Sequence, residues 1–415
     1  MKNLYRLFVL LFVFVETLTL FQGYVPFREW IPLSFMCGIS LLMYPKAFLN
    51  KSTLYLVLYC GILMLFAAMG HDLANPKWVL IEILVLLSCL SITNSFVYNR
   101  DIDGFKMVTI LGLCIIIVTA LLTLQILERD SQAVRNMVGY TIKGSNAKIQ
   151  TYLQQGIASF GLVHAFPFLC PLLVLNIKSA KNYLFRALAL AVILVAYFML
   201  LKASFGTPLL LATAAIALAF LLTKNQMLNM VIVICMVVFL FLTMNKNLVV
   251  YVLEEAQELA FSKTPVISKK IDDIVASIKF NKSRGEISGR EKVYAKSWST
   301  FFSSPLWGSF DKSDAGGHAY FPDRLAYFGL LGTVPFFLFL YFTLKRSYML
   351  INSKVRLHFL LSVGVFIMLG LLKNITGVEN FLYLFVFIPG LALFAGPDSL
   401  QQPEQPAFAN EGGQP

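Results

Sequence analysis

The sequence predicts an all-α, polytopic membrane protein of about twelve transmembrane helices, and three observations carry that prediction. Of 415 residues, 58% are hydrophobic and only 13% charged, where a soluble globule carries about a quarter of its residues as charges. Apolar runs of roughly 18 residues or more recur along the chain, each long enough to cross a hydrocarbon core of about 30 Å as a helix. The runs are continuous rather than alternating in polarity, so helices are favoured over a barrel.

Taken in order, the spans fall near 4–23, 29–45, 53–70, 78–97, 107–127, 156–176, 186–202, 207–223, 227–244, 325–344, 357–373 and 381–396. The first run begins directly after Met1-Lys2-Asn3 and lacks a small-residue cleavage site, so it reads as a retained helix and not a signal peptide. Lys2, Arg6, Lys46, Lys51, Arg100, Lys106, Lys178, Lys181, Arg186, Lys224, Lys345, Arg346, Lys354 and Arg356 all fall on one side of this alternation. The positive-inside bias makes that side the cytoplasm, with both termini there.

Four regions result: helices 1–9 in 1–244, a long outer loop in 245–324, helices 10–12 in 325–396 and a tail in 397–415. The tail has too little apolar surface to fold and is expected to be disordered. In the long loop, Ile267, Ile271, Ile274, Val275 and Ile278 recur at helical spacing between Lys and Asp residues. That pattern fits a helix lying along the membrane interface or a solvated cover over the bundle.

The net charge of +12 invites a nucleic-acid reading, but much of it sits in short loops as topology signals, and no nucleic-acid partner is expected. All six cysteines lie inside apolar runs, so neither a disulfide framework nor a cysteine metal site is expected.

Chemistry concentrates between Ser288 and Gly332. His318 stands in Gly316-Gly317-His318-Ala319-Tyr320-Phe321, just before an apolar run. The glycines permit a turn and close approach of a substrate, and imidazole is the side chain best suited to take a hydroxyl proton near neutral pH. The plainer role is a hydrogen bond to a helix end. Arg290, in Ser288-Gly289-Arg290-Glu291, precedes a helical pattern at Val293, Ala295, Trp298 and Phe301. An arginine there would grip a diphosphate bidentately at a helix N-terminus; pairing with Glu291 or plain capping is the alternative. Asp323 either orients the imidazole or pairs with Arg324. Arg135, Lys143 and Lys148, on the smaller outer loop 128–155, are further phosphate contacts or an ordinary solvated face. His71, His164 and His358 read as structural.

No metal or other cofactor is expected. The first outer loop ends with only Glu29 as an acidic residue, and the carboxylate pair Asp101 and Asp103 falls on the cytoplasmic side, away from His318 and Arg290.

The strings Ser288-Gly289-Arg290, Pro305-Leu306-Trp307-Gly308, Gly317-His318-Ala319-Tyr320 and Leu325-Ala326-Tyr327-Phe328-Gly329-Leu330-Leu331-Gly332 resemble, in order and spacing, the signature region of the bacterial O-antigen ligase and polysaccharide polymerase superfamily. The resemblance implies a metal-independent, inverting glycosyltransferase of the GT-C type in the bacterial inner membrane, with its site facing the periplasm. Its donor and acceptor would be undecaprenyl-diphosphate-linked glycans, with a chain-length regulator or flippase as protein partners. Arg290 and His318 match the family's essential arginine and histidine, and Arg324, Asp323, Arg135, Lys202 and Tyr320 are candidate substrate contacts. The chain departs from the family at Lys202-Ala203-Ser204-Phe205-Gly206, where Phe205 stands in place of an arginine. Lys202 supplies a charge nearby, without the bidentate fork. Ala319 after the histidine, where ligases often carry asparagine, favours a polymerase over a ligase transferring to lipid A-core. A lipid-linked oligosaccharide flippase is the competing class. Transport paths place charge inside spans, and here only Glu16 and Glu82 stand out within them.

Overall fold

The computed structural model describes residues 1–22, 30–68, 76–130, 133–136, 147–203, 205–222, 272, 275 and 285–395. Among the described residues the fold is helical throughout. Twelve principal helices are α1 Lys2–Thr17, α2 Ile31–Met43, α3 Lys51–Ala68, α4 Pro76–Tyr98, α5 Ile102–Arg129 and α6 Phe160–Ser179, then α7 Tyr183–Lys202, α8 Gly206–Leu221, α9 Gly285–Ser303, α10 Tyr320–Met349, α11 Ser353–Leu372 and α12 Val378–Ala395. Eight of them, α3 to α7 and α10 to α12, are long and apolar enough to cross a bilayer, as a multi-pass membrane protein requires. The shorter α1, α2 and α8 occupy three more of the expected spans. The expected span at 227–244, the interfacial pattern at 267–278 (save Asp272 and Val275) and the tail lie outside the described residues.

Local chemistry sets the helix starts. Asp101, Ser159, Asn182 and Asn352 each accept a hydrogen bond from a backbone N–H of the first turn of α5, α6, α7 and α11, satisfying donors that have no partner within the helix. The centre of the bundle is α12, whose spanning window is 89% buried, against 28% for α3 at the rim. A helix that is apolar all round belongs inside. A π-helical stretch at Tyr383–Phe387 displaces its carbonyls, and Thr93 Oγ1 of α4 donates to Phe385 O at 3.2 Å. Asn176 Nδ2 of α6 donates to Leu391 O at 2.9 Å.

The helices alternate in direction, giving the bundle two ends. The end where the chain begins gathers Arg6 with Asp101, and Arg346 with Asn94. There too, Lys178 Nζ donates to the last carbonyls of α8, Ala219 O at 3.1 Å and Phe220 O at 2.8 Å. These basic residues belong to the set read as one side of the membrane. The opposite end carries α9, the start of α10 and the close of α11, joined where Tyr320 N–H donates to Lys373 O at 3.1 Å.

Candidate functional site around His318

The segment that carries His318 is built by α9 and the first turn of α10. Ala319, the N-cap of α10, has no side-chain oxygen to cap with. Asp323 does that work from inside the helix: its Oδ2 accepts from Ala319 N–H at 3.0 Å, the reach-back seen in capping boxes. Its Oδ1 accepts from Ser297 Oγ of α9 at 2.6 Å. The same Ser297 oxygen accepts from Gly316 N–H at 2.9 Å. A buried Ser297–Asp323 pair therefore pins the backbone on both sides of His318, while His318 itself is exposed. Among the described residues, none hydrogen-bonds to its imidazole.

The two glycines before it have separate reasons. A Cβ on Gly316 would lie 2.4 Å from Val293 O, so only glycine lets the loop approach α9 this closely. Gly317 has open space around it but a φ of +73°, a conformation that disfavours side chains. Farther along α9, Thr300 Oγ1 donates to Asp314 O at 2.6 Å, and Lys296 Nζ donates to Ser313 O. The approach to the histidine is thus held along its length.

A second construction sits beneath it. Helix α10 breaks at Gly329, with φ 55° and ψ −162°. The break would orphan the donors Leu330 N–H and Leu331 N–H and the acceptors Ala326 O and Tyr327 O. The Pro305-Leu306-Trp307-Gly308 turn and its sequel satisfy all four. Leu330 N–H donates to Pro305 O at 2.8 Å and Leu331 N–H to Leu306 O at 3.1 Å, while Ser309 N–H donates to Ala326 O at 2.9 Å and Phe310 N–H to Tyr327 O at 3.2 Å. Gly308, at φ +76°, and Gly329 meet backbone to backbone: a Cβ on either would lie 2.4 Å or less from a carbonyl oxygen of the other strand of this joint. Two of the motifs singled out in the sequence are therefore the two halves of one splice in α10, which repairs a broken helix as a bilayer demands.

His318, Tyr320, Asp323 and Arg324 come together at the start of α10. Asp323 contacts neither the imidazole nor Arg324 directly; its oxygens accept from Ser297 and Ala319. Arg324, expected in the loop before the span, lies inside α10 and is buried. It pairs with Glu82 of α4 and donates to Tyr59 and, at 2.6 Å, to Tyr320 Oη. Tyr59 Oη also donates to Glu82 at 2.8 Å. The guanidinium lies 4.1 Å from the Tyr320 ring centroid and 4.7 Å from that of Phe336. Arg324 and Tyr320 are thus engaged inside the bundle.

Arg290 lies within α9, which begins at Gly285, and not at a helix N-terminus as expected. Its backbone is on the same helical stripe as Tyr294 and Ser297; its side chain lies outside the described residues. Tyr294 Oη donates to Leu372 O at 2.7 Å. Arg135 belongs to the short helix Ala133–Asn136, and its side chain, like Lys148's and all of Lys143, is outside the described residues. Lys202 ends α7, exposed, with Nζ 5.6 Å from the Phe198 ring; α7 packs on α5, α6 and α8, apart from α9 and α10. Phe205, at the place of the family's arginine, packs on Phe160 with centroids 5.3 Å apart. Ser297 was missed by sequence reading, since a lone serine in a helical pattern carries no signal.

Among the described residues no group of three His, Cys, Asp or Glu side chains converges; His71 and Glu29 lie outside them. The Asp101–Asp103 pair is at the other end. Asp101 accepts from Arg6 Nε at 2.9 Å and from Gly104 N–H at 3.0 Å, with Lys2 Nζ 3.4 Å away. Burial alone would raise its carboxyl pKa, but these partners outweigh it and hold the group below the usual carboxylate range.

No protein-family model matches the chain, and no curated protein matches it.

Proposed function

We propose that this protein is a membrane glycosyltransferase that polymerises glycan repeat units carried on undecaprenyl diphosphate, on the periplasmic face of a bacterial inner membrane. In this reading twelve spans form a GT-C-type bundle, and the end bearing His318 faces outward, as the distribution of basic loop residues argues. The observation that supports it most is the pinned loop. A buried Ser297–Asp323 pair holds both flanks of an exposed imidazole, an arrangement that orients a proton acceptor without neutralising it.

The chemistry is a single displacement. An acceptor hydroxyl attacks the anomeric carbon of the donor sugar; the new C–O bond forms as the bond to diphosphate breaks, and the hydroxyl proton passes to His318. Arg290 stabilises the departing diphosphate, with Arg135 and Lys202 as further cations for an anionic lipid headgroup. No metal or other cofactor takes part. The buried Glu82–Arg324 pair, which a flippase reading would draw on, is closed by Tyr59, Tyr320 and Phe336 and fits a clamp between helices better than a transport path.

The test is turnover of lipid-linked donor by purified protein in lipid. His318→Ala should stop extension while donor still binds, with a loss of about 10²- to 10⁴-fold. Arg290→Ala should weaken donor binding, and Arg290→Lys should be impaired because lysine lacks the fork. Chelator should leave turnover intact. Normal polymer from the His318→Ala protein would overturn the mechanism, and glycan delivered to lipid A-core instead of to another repeat unit would make the enzyme a ligase.

A further inference from the structure

Helix α9 has three sectors, and the site accounts for only one of them. Val293, Ser297 and Thr300 face the histidine loop, as their contacts with Gly316, Asp323 and Asp314 show. Lys292, Lys296, Ser299 and Ser303 form a second, exposed and polar sector by helical spacing. The third is aromatic. Trp298, Phe301 and Phe302 pack ring on ring, with centroids 5.4 to 6.2 Å apart, yet Phe302 is 71% exposed and Trp298 38%. The turn that follows α9 adds Leu306, 55% exposed, and Trp307, 57% exposed. A water-facing helix has no reason to present such a cluster.

What covers it is set by continuity. Leu306 O and Pro305 O accept from Leu331 N–H and Leu330 N–H of α10. Leu330, Leu331 and Val334 are themselves exposed, and they belong to the apolar outer face of a helix long enough to span the bilayer. The aromatic sector is thus the upward extension of the lipid-facing belt. Tryptophan and other amphipathic rings favour the boundary between acyl chains and headgroups, and a lysine and serine face beside an apolar one is the pattern of a helix lying in that plane.

We infer that α9 and the Pro305–Gly308 turn are seated in the lipid of the leaflet boundary through Trp298, Phe301, Phe302, Leu306 and Trp307. Because Ser297 on the same helix pins Gly316, the depth at which α9 rests sets the height of His318 above the acyl chains. The seat is a property of the surface and holds whatever reaction His318 serves.

Tryptophan fluorescence of the full chain in phosphatidylcholine vesicles tests it. Vesicles containing lipids brominated on the acyl chain near the headgroup should quench the wild-type protein strongly. The Trp298→Phe and Trp307→Phe double variant should lose roughly half of that quenching, since these are two of the chain's four tryptophans. Acrylamide, applied to wild type and double variant alike, should draw little of its quenching from these two positions. Quenching of Trp298 and Trp307 by acrylamide and not by brominated lipid would overturn the inference by placing the sector in water. Access by neither quencher would overturn it too, by showing the sector covered by protein, for instance a second copy of the chain.

Discussion

The two ends of the bundle use polar side chains in opposite ways. At the end where the chain begins, cations that keep contact with solvent reach acceptors at the helix ends: Arg6 to Asp101 and Asp103, Lys178 to the last carbonyls of α8, Arg346 to Asn94. At the other end the paired groups are buried. Glu82 holds Arg324 and Ser297 holds Asp323, while His318, beside the second pair, is exposed. The first arrangement closes helix ends; the second fixes backbone so that one imidazole is presented. Under the proposed function the first is a scaffold end and the second a working end, and the difference can be broken by experiments that ask whether equivalent changes at the two ends have equivalent effects.

The largest contrast concerns the ion pairs. Arg324 is 3% exposed and Glu82 9%, so removing the carboxylate strands a buried guanidinium, which costs about 3–5 kcal/mol. Asp103, by contrast, is 76% exposed in its pair with Arg6, and such pairs contribute about 0.2–1 kcal/mol. Denaturation of Glu82→Ala and Asp103→Asn in detergent should show that ordering. Equal losses would mean that the clamp between α4 and α10 carries no special weight.

The next contrast concerns activity. In Asp323→Ala, Ser297 Oγ–H and Ala319 N–H lose their acceptor and the histidine loop loosens. A displacement of about 1 Å in a catalytic group costs on the order of 10²-fold in rate, and the loss should appear in kcat with KM little changed. Asp101→Asn, which removes the charge that Arg6 and Lys2 engage and keeps a capping oxygen, should leave kcat near wild type. If both variants lose kcat alike, Asp323 acts through stability and not through positioning.

Much of this was legible beforehand and some was not, for physical reasons. Helices stand at eleven of the expected spans, eight of them long and apolar enough to cross a bilayer, because burial in lipid requires long apolar runs; the twelfth expected span, 227–244, lies outside the described residues. The Gly316-Gly317-His318 string pointed to a turn with room for a substrate; in the fold Gly317 takes a positive φ and Gly316 lies against Val293 of α9. The sequence opens this span at Leu325, where the apolar run begins. Helix begins instead at Tyr320, with Pro322 in the first turn, where a missing N–H costs nothing; that proline was the available signal. Glu82 was visible as a charge inside a span, but its partner was hidden by a separation of 242 residues. The splice between Pro305–Phe310 and Ala326–Leu331 is made of backbone groups, which side-chain patterns do not report.

A third prediction tests that splice. Gly329→Ala forces a side chain into a backbone conformation that only glycine takes readily, a cost of about 1–3 kcal/mol, and sets a Cβ against Leu306 O. The variant should unfold at lower temperature, and Gly308→Ala should do the same because the two glycines face each other. The double variant should lose less than the sum of the singles, since either Cβ already opens the joint. Strict additivity would show that the two glycines act independently.

The smallest expected effect lies at the scaffold end and concerns pH. Asp101 is held ionised by Arg6 and Gly104 N–H against the cost of burial, so its folded pKa is below its unfolded value of about 3.9. A depressed carboxylate stabilises the fold fully above its unfolded pKa and loses that contribution as pH falls through the folded one. The stability difference between wild type and Asp101→Asn, which keeps the cap and loses only the charge, should therefore be flat from neutral pH down to about pH 5 and shrink below about pH 4. Using a difference cancels the other carboxylates that titrate in the same range. A gap that widens on acidification would reverse the sign of the linkage and remove Asp101 from the groups that hold α1 to α5. A gap that is flat to the lowest pH would place its folded pKa below the range tested, and Arg6→Gln should then bring the loss back into view by raising it.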